Sequence, residues 1–255
     1  MPLVLVTVPC LSDNYAYLLH DSNSGATALI DVPEAAPLLA ALDRRGWTLS
    51  EVWITHHHAD HVQGLDGVRK KHDVRVTGAA GDAHRLPALD RHVNQDDSFE
   101  FAGHQVQVMD VSGHTVGHIA YYVPDAKSVF TADSLMALGC GRLFEGSAEQ
   151  MWLSLSKIAA LPPETFVCSG HEYTAANAKF ALTIEPDNAR LISRADEVAV
   201  ARATGNPTVP STLETELATN PFLRAAEPGI RYRLNMSRAS DMEVFAEIRA
   251  RKDSF

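Results

Sequence analysis

The sequence predicts a layered α/β protein in which a sheet-rich first part is followed by a smaller helical part. Three observations support this prediction. Short apolar runs with strand-like alternation, separated by turn residues, recur through the first part of the chain. Helical stretches are interspersed among them, which is typical of layered sheets and helices rather than of a helix bundle. From Thr174 onward the apolar spacing changes to the helical period.

The first part of the chain alternates strands, helices and turns. Predicted strands cover residues 3–8, 15–19, 28–31, 52–55 and 74–77, and further strands begin at Phe99, Val106, His118 and Ser128. Predicted helices cover residues 33–42 and 61–72, and a polar connector covers residues 81–97. Pro124 and Asp125, between two strands, predict a hairpin turn.

The last part of the chain has the apolar spacing and the capping residues of helices. One helix is expected to end at Gly205 and Pro207. Two further helix starts carry capping boxes, in which side chain and backbone bond reciprocally: Ser211 with Glu214, and Ser240 with Glu243. We therefore expect a sheet-containing domain over residues 1–170 and a helical domain over residues 171–255.

The composition disfavours several classes of function. The 255 residues contain 22 Lys and Arg against 32 Asp and Glu, and the formal net charge of −10 disfavours nucleic acid as a partner. No apolar run approaches the roughly 18 residues of a membrane span, and no basic segment precedes the first apolar run. We expect a globular, cytoplasmic monomer that binds neither nucleic acid nor membranes.

The three cysteines, Cys10, Cys140 and Cys168, are an odd number without Cys-x-x-Cys spacing. This pattern argues against a disulfide framework and against a cysteine-based zinc knot. We expect all three to be small residues of the core.

Residues 55–61, Thr-His-His-His-Ala-Asp-His, follow a predicted strand and carry four potential metal ligands besides His57, which points away. In an extended segment alternate side chains share a face, so His56 and His58 point together, and Asp60 and His61 must serve a second centre. Imidazole and carboxylate are ligands of Zn²⁺, Fe and Mn. The alternatives are a solvated histidine-rich loop, or Asp60 as the N-cap of the next helix. Capping alone explains none of the histidines.

Three further residues of the metal-ligand type follow apolar runs at distant places in the sequence: His114, Asp133 and His171. Strand ends at one edge of a sheet are where a scaffold gathers a site from distant segments. Taken singly, each of these residues would more often be a core, surface or turn residue. Their joint placement favours a metal site.

Further motifs accompany residues 55–61. They lie at residues 12–15 (Ser-Asp-Asn-Tyr), 112–118 (Ser-Gly-His-Thr-Val-Gly-His), 130–134, 139–146, 170–174 (Gly-His-Glu-Tyr-Thr), 220–224 (Asn-Pro-Phe-Leu-Arg) and 249–253 (Arg-Ala-Arg-Lys-Asp). Over nearly its whole length the chain thereby resembles the glyoxalase II family, the hydroxyacylglutathione hydrolases of the metallo-β-lactamase fold superfamily. The resemblance implies a four-layer αββα metallo-β-lactamase-type sandwich with a smaller C-terminal helical domain that binds the glutathione substrate.

The resemblance also implies a binuclear site with two divalent ions, Zn²⁺ being the expected metal and Fe or Mn the alternatives. The implied ligands are His56, His58 and His114 for the first ion, Asp60, His61 and His171 for the second, and Asp133 as a bridge. A bridge needs a carboxylate, because its two oxygens can serve two cations. His57 is expected to be structural, and His118 to be structural or to orient a ligand.

Positions that contact glutathione in the family correspond to six residues of this chain: Arg142, Phe144, His171, Tyr173, Arg249 and Lys252. Arg249 and Lys252 lie three apart on the last predicted helix, so both can face one way. Without the resemblance they would more often be cations that complement a helix C-terminus. Some family members carry Tyr at the position of Phe144, so one hydroxyl contact is absent here.

The implied reaction is hydrolysis of S-D-lactoylglutathione, a 2-hydroxyacylglutathione thioester, to D-lactate and glutathione in methylglyoxal detoxification. A hydroxide bridging two metals would attack the thioester carbonyl, with Asp60 and Asp133 as catalytic residues. The alternatives are a lactonase of the same fold, an iron-dependent persulfide dioxygenase, and a metal-binding protein without catalysis. The helical part argues against the lactonase, and the ligands for a second metal argue against the dioxygenase.

Overall fold

The computed structural model describes residues 3–255, which form two compact units. Unit 1 runs to Asp110 and includes Gly117–Ala132, and unit 2 comprises Val111–Val116 and Asp133–Phe255. The predicted domains, residues 1–170 and 171–255, divide the chain differently and stay a prediction. Met1 and Pro2 belong to the predicted catalytic domain and to the N-terminal segment for which no leader is predicted, and they lie outside the described residues. No helix within residues 3–255 has the length and apolarity required to cross a membrane.

Unit 1 contains two sheets with helices between some of their strands. Its elements are β1 (Leu3–Cys10), β2 (Asn14–Asp21), β3 (Ala26–Ile30), α1 (Ala35–Asp43), β4 (Thr48–Trp53), α2 (Ala59–Val62), α3 (Leu65–Arg69), β5 (Arg75–Ala79), β6 (Arg91–Val93), β7 (Ser98–Phe101), β8 (His104–Asp110), β9 (Ile119–Val123) and β10 (Ser128–Ala132). The first sheet has the order β1-β2-β3-β4-β5-β6, antiparallel as far as β3 and parallel from β3 to β6. In the second sheet β10, β9, β8 and β7 pair antiparallel in that order.

The two sheets of unit 1 face each other across an aromatic core. The ring of Trp53, at the end of β4, lies 5.4 Å from that of Phe99, 5.5 Å from that of Tyr121 and 6.4 Å from that of Phe130. The Tyr121 hydroxyl donates to the carbonyl oxygen of Ile54 at 2.9 Å. Rings of this size dominate the stability of a core, each contributing about 1.5–3 kcal/mol on burial. This core therefore fixes the end of β4, where the histidine-rich segment begins.

The prediction of one continuous helix over residues 61–72 is wrong, because the chain forms two short helices, α2 and α3, with a break at Gly64. The amide of Gly64 donates to the carbonyl oxygen of Val32 at 2.9 Å, and a Cβ at Gly64 would lie 2.8 Å from that oxygen. This close approach of two backbone segments is a tertiary contact that periodicity does not show. Asp60 as an N-cap is also wrong, since His58 is the N-cap of α2 and Asp60 lies in its first turn.

The polar connector predicted over residues 81–97 contains β6, which pairs parallel with β5. Arg91 in β6 forms an ion pair of 3.2 Å with the buried Glu51. Because a charged pair helps to hold this strand, apolar alternation does not reveal it. The hairpin turn predicted at Pro124 and Asp125 is confirmed and joins the antiparallel strands β9 and β10.

Unit 2 is mainly helical, which confirms the change of pattern predicted from Thr174 onward. Its elements are β11 (Leu135–Met136), β12 (Gly139–Cys140), α4 (Ala148–Ala159), β13 (Phe166–Ser169), α5 (Thr174–Ile184), α6 (Ala189–Ala203), β14 (Ser211–Thr212), α7 (Leu213–Thr219), α8 (Pro228–Arg233) and α9 (Asp241–Asp253). Strands β11 and β12 form an antiparallel hairpin, and β13 pairs antiparallel with β14.

The two predicted capping boxes have different outcomes. The box of Ser240 and Glu243 at the start of α9 is confirmed. The other box is wrong, because Thr212 is the N-cap of α7 and its side chain accepts from the Thr215 amide at 3.3 Å. Ser211 instead belongs to β14, so pairing with another strand determines where this helix begins.

A buried polar network joins the helices of unit 2 to the β11–β12 hairpin. Glu216 in α7 is fully buried, pairs with Arg194 of α6 and accepts from the Leu138 amide at 2.9 Å. Asn220 donates to the carbonyl oxygen of Gly139 at 3.0 Å. A buried carboxylate is tolerated only where such partners surround it. The helices therefore hold the hairpin that follows Asp133.

Candidate metal centre

The seven predicted metal ligands fall into two groups, one in each unit. The unit 1 group consists of His56, His58, Asp60 and His61, and the unit 2 group of His114, Asp133 and His171. The members follow the ends of β4, β8, β10 and β13 in the sequence, as predicted.

The unit 1 group lies in the loop after β4 and in the first turn of α2. The buried ring of His56 lies 4.7 Å from that of His58 and 4.2 Å from that of His61. One carboxylate oxygen of Asp60 lies 3.7 Å from His61 Nε2 and accepts a hydrogen bond of 3.0 Å from the side-chain amide of Asn14. The four side chains therefore converge, and β2 supplies the group that orients Asp60.

Asp31 is a residue of this group that the sequence prediction missed. It follows β3, is buried, and its Oδ2 lies 2.8 Å from His61 Nδ1. Its two oxygens also accept from the amide and the hydroxyl of Thr55, both at 2.8 Å. Because a carboxylate only accepts, Nδ1 of His61 carries the proton and Nε2 has the lone pair that a metal requires. The signal that identified Asp133, an acid directly after an apolar run, is present at Asp31 as well.

Two further histidines of unit 1 support this group. His57 Nδ1 lies 3.1 Å from Oδ2 of the buried Asp82, whose other oxygen accepts from Arg85 at 2.5 Å. The ring of His118 is fully buried and stacks on His56 with a centroid distance of 4.6 Å and an interplanar angle of 12°. His118 therefore limits the orientation of the His56 ring.

The unit 2 group is centred on one carboxylate oxygen. Oδ2 of Asp133 lies 3.4 Å from His114 Nε2 and 3.3 Å from His171 Nε2. The main-chain oxygen of Arg142 lies 2.7 Å from His114 Nδ1 and fixes the proton there, since a carbonyl only accepts. The lone pair of His114 Nε2 then faces a carboxylate. Two acceptors at this distance require a cation or a proton between them, so the residues fit a bound metal ion.

Gly141, which directly follows β12, packs closely against this group. Its amide donates to the carbonyl oxygen of Ser134 at 3.0 Å. A Cβ at this position would lie 1.9 Å from the main-chain oxygen of Asp133 and 3.2 Å from His114 Nδ1. Only glycine allows the segment to approach the two residues so closely.

Two aromatic residues of the predicted substrate set cover ligands of the unit 2 group. The ring of Phe144 meets that of His114 edge to face at 5.2 Å, and Phe144 is 61% exposed. The ring of Tyr173 stacks on that of His171 at 4.8 Å, and Tyr173 is 41% exposed. Each ring therefore contacts an imidazole and presents its remaining surface to solvent.

The predicted substrate cations differ in their exposure. The side chain of Arg142 is 59% exposed, and its Nε lies 3.7 Å from Asp253. Lys252 Nζ lies 5.2 Å from the ring centroid of Phe180, and burial, followed by the charge of Arg249, lowers the pKa of Lys252. Arg249 itself is buried, with an exposure of 6%.

The donors available to a metal are nitrogen and oxygen. All three cysteines are free and buried. Burial raises the pKa of Cys10 to about 12 and that of Cys140 to about 11, and it also raises the pKa of Cys168. No cysteine belongs to a cluster of possible metal ligands among the described residues, and the expected place of all three in the core is confirmed. Imidazole and carboxylate suit Zn²⁺, Fe and Mn.

Comparison with known proteins places the chain in a family. The model of the metallo-β-lactamase superfamily matches residues 12–171, and the model of the hydroxyacylglutathione hydrolase C-terminus matches residues 172–255. The hydroxyacylglutathione hydrolase of Roseobacter denitrificans is 71% identical over 255 residues, which are 100% of both chains. The chain belongs to the hydroxyacylglutathione hydrolase family.

Solved structures share the fold of this chain. The crystal structure of ETHE1 from Myxococcus xanthus has a TM-score of 0.66 and 25% identity, covering 100% of this chain and 99% of that chain. The crystal structure of TTHA1623 in a di-iron-bound form has a TM-score of 0.62 and 25% identity, covering 86% of this chain and 100% of that chain. Together with the two family models, they confirm the predicted α/β metallo-β-lactamase fold with a helical C-terminal part.

The family assignment also bears on the alternatives and on the metal. The match to the hydroxyacylglutathione hydrolase C-terminus favours this family over a lactonase or a persulfide dioxygenase. The fold, together with the clusters of His and Asp side chains, indicates a divalent-metal site.

Proposed function

We propose that this chain hydrolyses 2-hydroxyacylglutathione thioesters, with S-D-lactoylglutathione giving D-lactate and glutathione in methylglyoxal detoxification. The observation that carries the proposal is the carboxylate of Asp133 placed between the Nε2 atoms of His114 and His171. Relatives that match the chain over its full length are named hydroxyacylglutathione hydrolase, which supports this substrate class.

The proposed cofactor is a pair of divalent ions, Zn²⁺ in the first place and Fe or Mn as alternatives. The proposed ligands are His56, His58 and His114 for one ion, Asp60, His61 and His171 for the other, and Asp133 for both. The nitrogen and oxygen donors support this choice, as does the di-iron-bound form of a related structure. Bound in this way, the ions would polarise the thioester carbonyl and lower the pKa of bound water toward neutrality.

Residues of the chain hold these donors in the protonation state that ligation needs. Asp31 accepts a hydrogen bond from Nδ1–H of His61, and the carbonyl oxygen of Arg142 accepts one from Nδ1–H of His114. Asn14 orients the carboxylate of Asp60. We assign to Asp60 the orientation of the attacking water and to Asp133 the bridging position, which makes these two the catalytic residues.

The glutathione half of the substrate is proposed to contact residues of unit 2. The proposed contacts are Arg142, Phe144, His171, Tyr173 and Lys252. The exposure of the Phe144 and Tyr173 rings to solvent supports these contacts. The exposed guanidinium of Arg142 supports them as well, because an anionic substrate needs a local cation in a chain of net charge −10. The guanidinium of Arg249 is buried and is therefore not among these contacts. Its contact with glutathione stays a prediction from the sequence.

The roles of the two predicted domains follow from the same proposal. Residues 1–170 would form the catalytic domain and residues 171–255 the substrate-binding domain. A cytoplasmic monomer without nucleic-acid or membrane partners stays a prediction.

The test is the loss of thioester absorbance when purified protein meets S-D-lactoylglutathione, with metal content measured on the same batch. We expect close to two metal ions per chain and hydrolysis that a chelator abolishes and Zn²⁺ restores. Asp133→Asn should lose hydrolysis, whereas Asp125→Asn, which changes an exposed carboxylate, should keep it. A fully metallated sample without thioesterase activity would contradict the proposal and direct the assay to lactones and to oxygen consumption with glutathione persulfide.

A further inference from the structure

Arg249 in α9 differs from the other predicted substrate contacts because protein encloses its guanidinium. Nη1 donates to the carbonyl oxygen of Cys140 at 3.0 Å, and Nη2 donates to Asp253 at 2.8 Å. The guanidinium carbon lies 5.2 Å from the ring centroid of Phe222. A buried cation with these partners is held in one position, because any displacement would leave its charge desolvated and unpaired.

Cys140 begins the short segment, residues 140–142, that supports the unit 2 group. The next residue, Gly141, packs against the main-chain oxygen of Asp133, and Arg142 then supplies the carbonyl oxygen that lies 2.7 Å from His114 Nδ1. Three successive residues therefore connect Arg249 with two predicted metal ligands. Displacement of the Cys140 carbonyl would move the oxygen that fixes the His114 ring.

We propose that Arg249 is a positioning residue for the metal centre, anchoring residues 140–142 so that His114 and Asp133 keep the geometry for ligation. The role rests on the proposed function for the identity of the ligands, and it requires no contact with the substrate. Groups that orient metal ligands contribute about 10- to 100-fold to metal affinity. Arg249 acts one step further away, through the segment that contains such a group.

Lys252 provides the matched comparison on the same helix. Its Nζ lies 5.2 Å and 5.3 Å from the ring centroids of Phe180 and Phe255, and 3.4 Å from the carbonyl oxygen of Ala176. These contacts are with α5 and the end of the chain and not with residues 140–142. Removal of the Lys252 charge should therefore alter substrate binding and leave the metal ligands in place.

The experiment measures zinc release from loaded wild-type chain, Arg249→Met and Lys252→Ala, each mixed with an excess of a coloured chelator in the absence of substrate. For Arg249→Met we expect zinc release to be about tenfold faster than for the wild type, together with a lower kcat. For Lys252→Ala we expect the wild-type rate of zinc release and a raised KM for S-D-lactoylglutathione.

A control variant separates positioning from a general loss of stability. Val244→Ala removes two buried methyl groups from α9 and leaves the guanidinium contacts intact. It should release zinc at the wild-type rate at temperatures well below its own Tm. Equal acceleration by Val244→Ala and Arg249→Met would overturn the inference, because stability alone would then explain the release.

Other outcomes separate this inference from the proposed function. Wild-type zinc release by Arg249→Met, with a change in KM only, would overturn the positioning role and leave the hydrolase function standing. A wild-type chain that keeps its zinc but hydrolyses no thioester would refute the function alone. Should Arg249→Met fail to fold, Arg249→Lys takes its place: a single ammonium replaces the two guanidinium nitrogens that bond the Cys140 carbonyl and Asp253, so the anchor is weakened and release faster than wild type is expected. Release at the wild-type rate refutes the role.

Discussion

Replacement of Asp31 by asparagine tests whether this carboxylate sets the proton position of His61. The φ of +57° at Asp31 is a conformation that Asn also tolerates, so the backbone should not change. The amide oxygen can still accept from the Thr55 amide, and the Thr55 hydroxyl can turn to accept from the new NH₂ group. Nδ1 of His61 then meets a donor and must give up its proton, and the hydroxyl that turns also lies 3.0 Å from Nδ1 of His56, a second proposed ligand.

The structure sets the expected magnitudes. A buried hydrogen bond of 2.8 Å to a charged acceptor is replaced by one between neutral groups, which should lower the free energy of unfolding of the metal-free chain by about 1–1.5 kcal/mol, the difference between the two classes of bond. The proton moves to Nε2 of His61, the nitrogen proposed to bind metal. Metal affinity should therefore fall by about 10- to 100-fold.

Urea denaturation of metal-free protein and a competitive zinc titration measure the two effects separately. Asp82→Asn is the matched control, because Asp82 is an equally buried carboxylate that contacts His57, a histidine outside the proposed ligand set. It should lose stability without losing metal affinity. Unchanged zinc affinity in Asp31→Asn, or an equal loss in Asp82→Asn, would refute the reasoning.

Three further outcomes are expected. Gly141→Ala should lower both kcat and the urea midpoint, because its Cβ would lie 1.9 Å from a main-chain oxygen, whereas Gly229→Ala, with open space around it, should leave kcat unchanged. Glu216→Gln should lower the free energy of unfolding by about 3–5 kcal/mol in urea titrations, because the buried Arg194 loses its counter-charge. Burial raises the pKa of Cys140 from 9.0 to about 11, so only the unfolded chain releases this proton between those values. Stability should therefore fall as pH rises through that window, by up to about 1.4 kcal/mol per pH unit, and less in Cys140→Ala.

Much of the fold follows from local patterns. The buried strand β9, the hairpin at Pro124 and the capping box at Ser240 were predictable because alternation, turn chemistry and capping depend on residues a few positions apart. The break at Gly64 and the N-cap of α7 at Thr212 were not predictable. Each results from a contact with a segment distant in the sequence, Val32 in one case and β13 in the other.

In the proposed site, too, local patterns indicated some residues and not others. The density of His and Asp in residues 55–61 and their position after an apolar run indicated metal chemistry from sequence, because ligand type and strand ends are local features. The partners that orient the ligands were not indicated. Asp31 and His61 are 30 positions apart, and the carbonyl of Arg142 lies 28 positions beyond His114.

The sequence by itself determined which residues can ligate a metal and which family the chain resembles. The tertiary structure alone decided which imidazole nitrogen carries the proton, why Gly141 must lack a side chain, and that the Arg249 guanidinium is buried. Arg249 and Cys140 are 109 positions apart, yet their hydrogen bond is 3.0 Å long. Such contacts depend on how helices and hairpins pack, and packing joins residues that no local pattern relates.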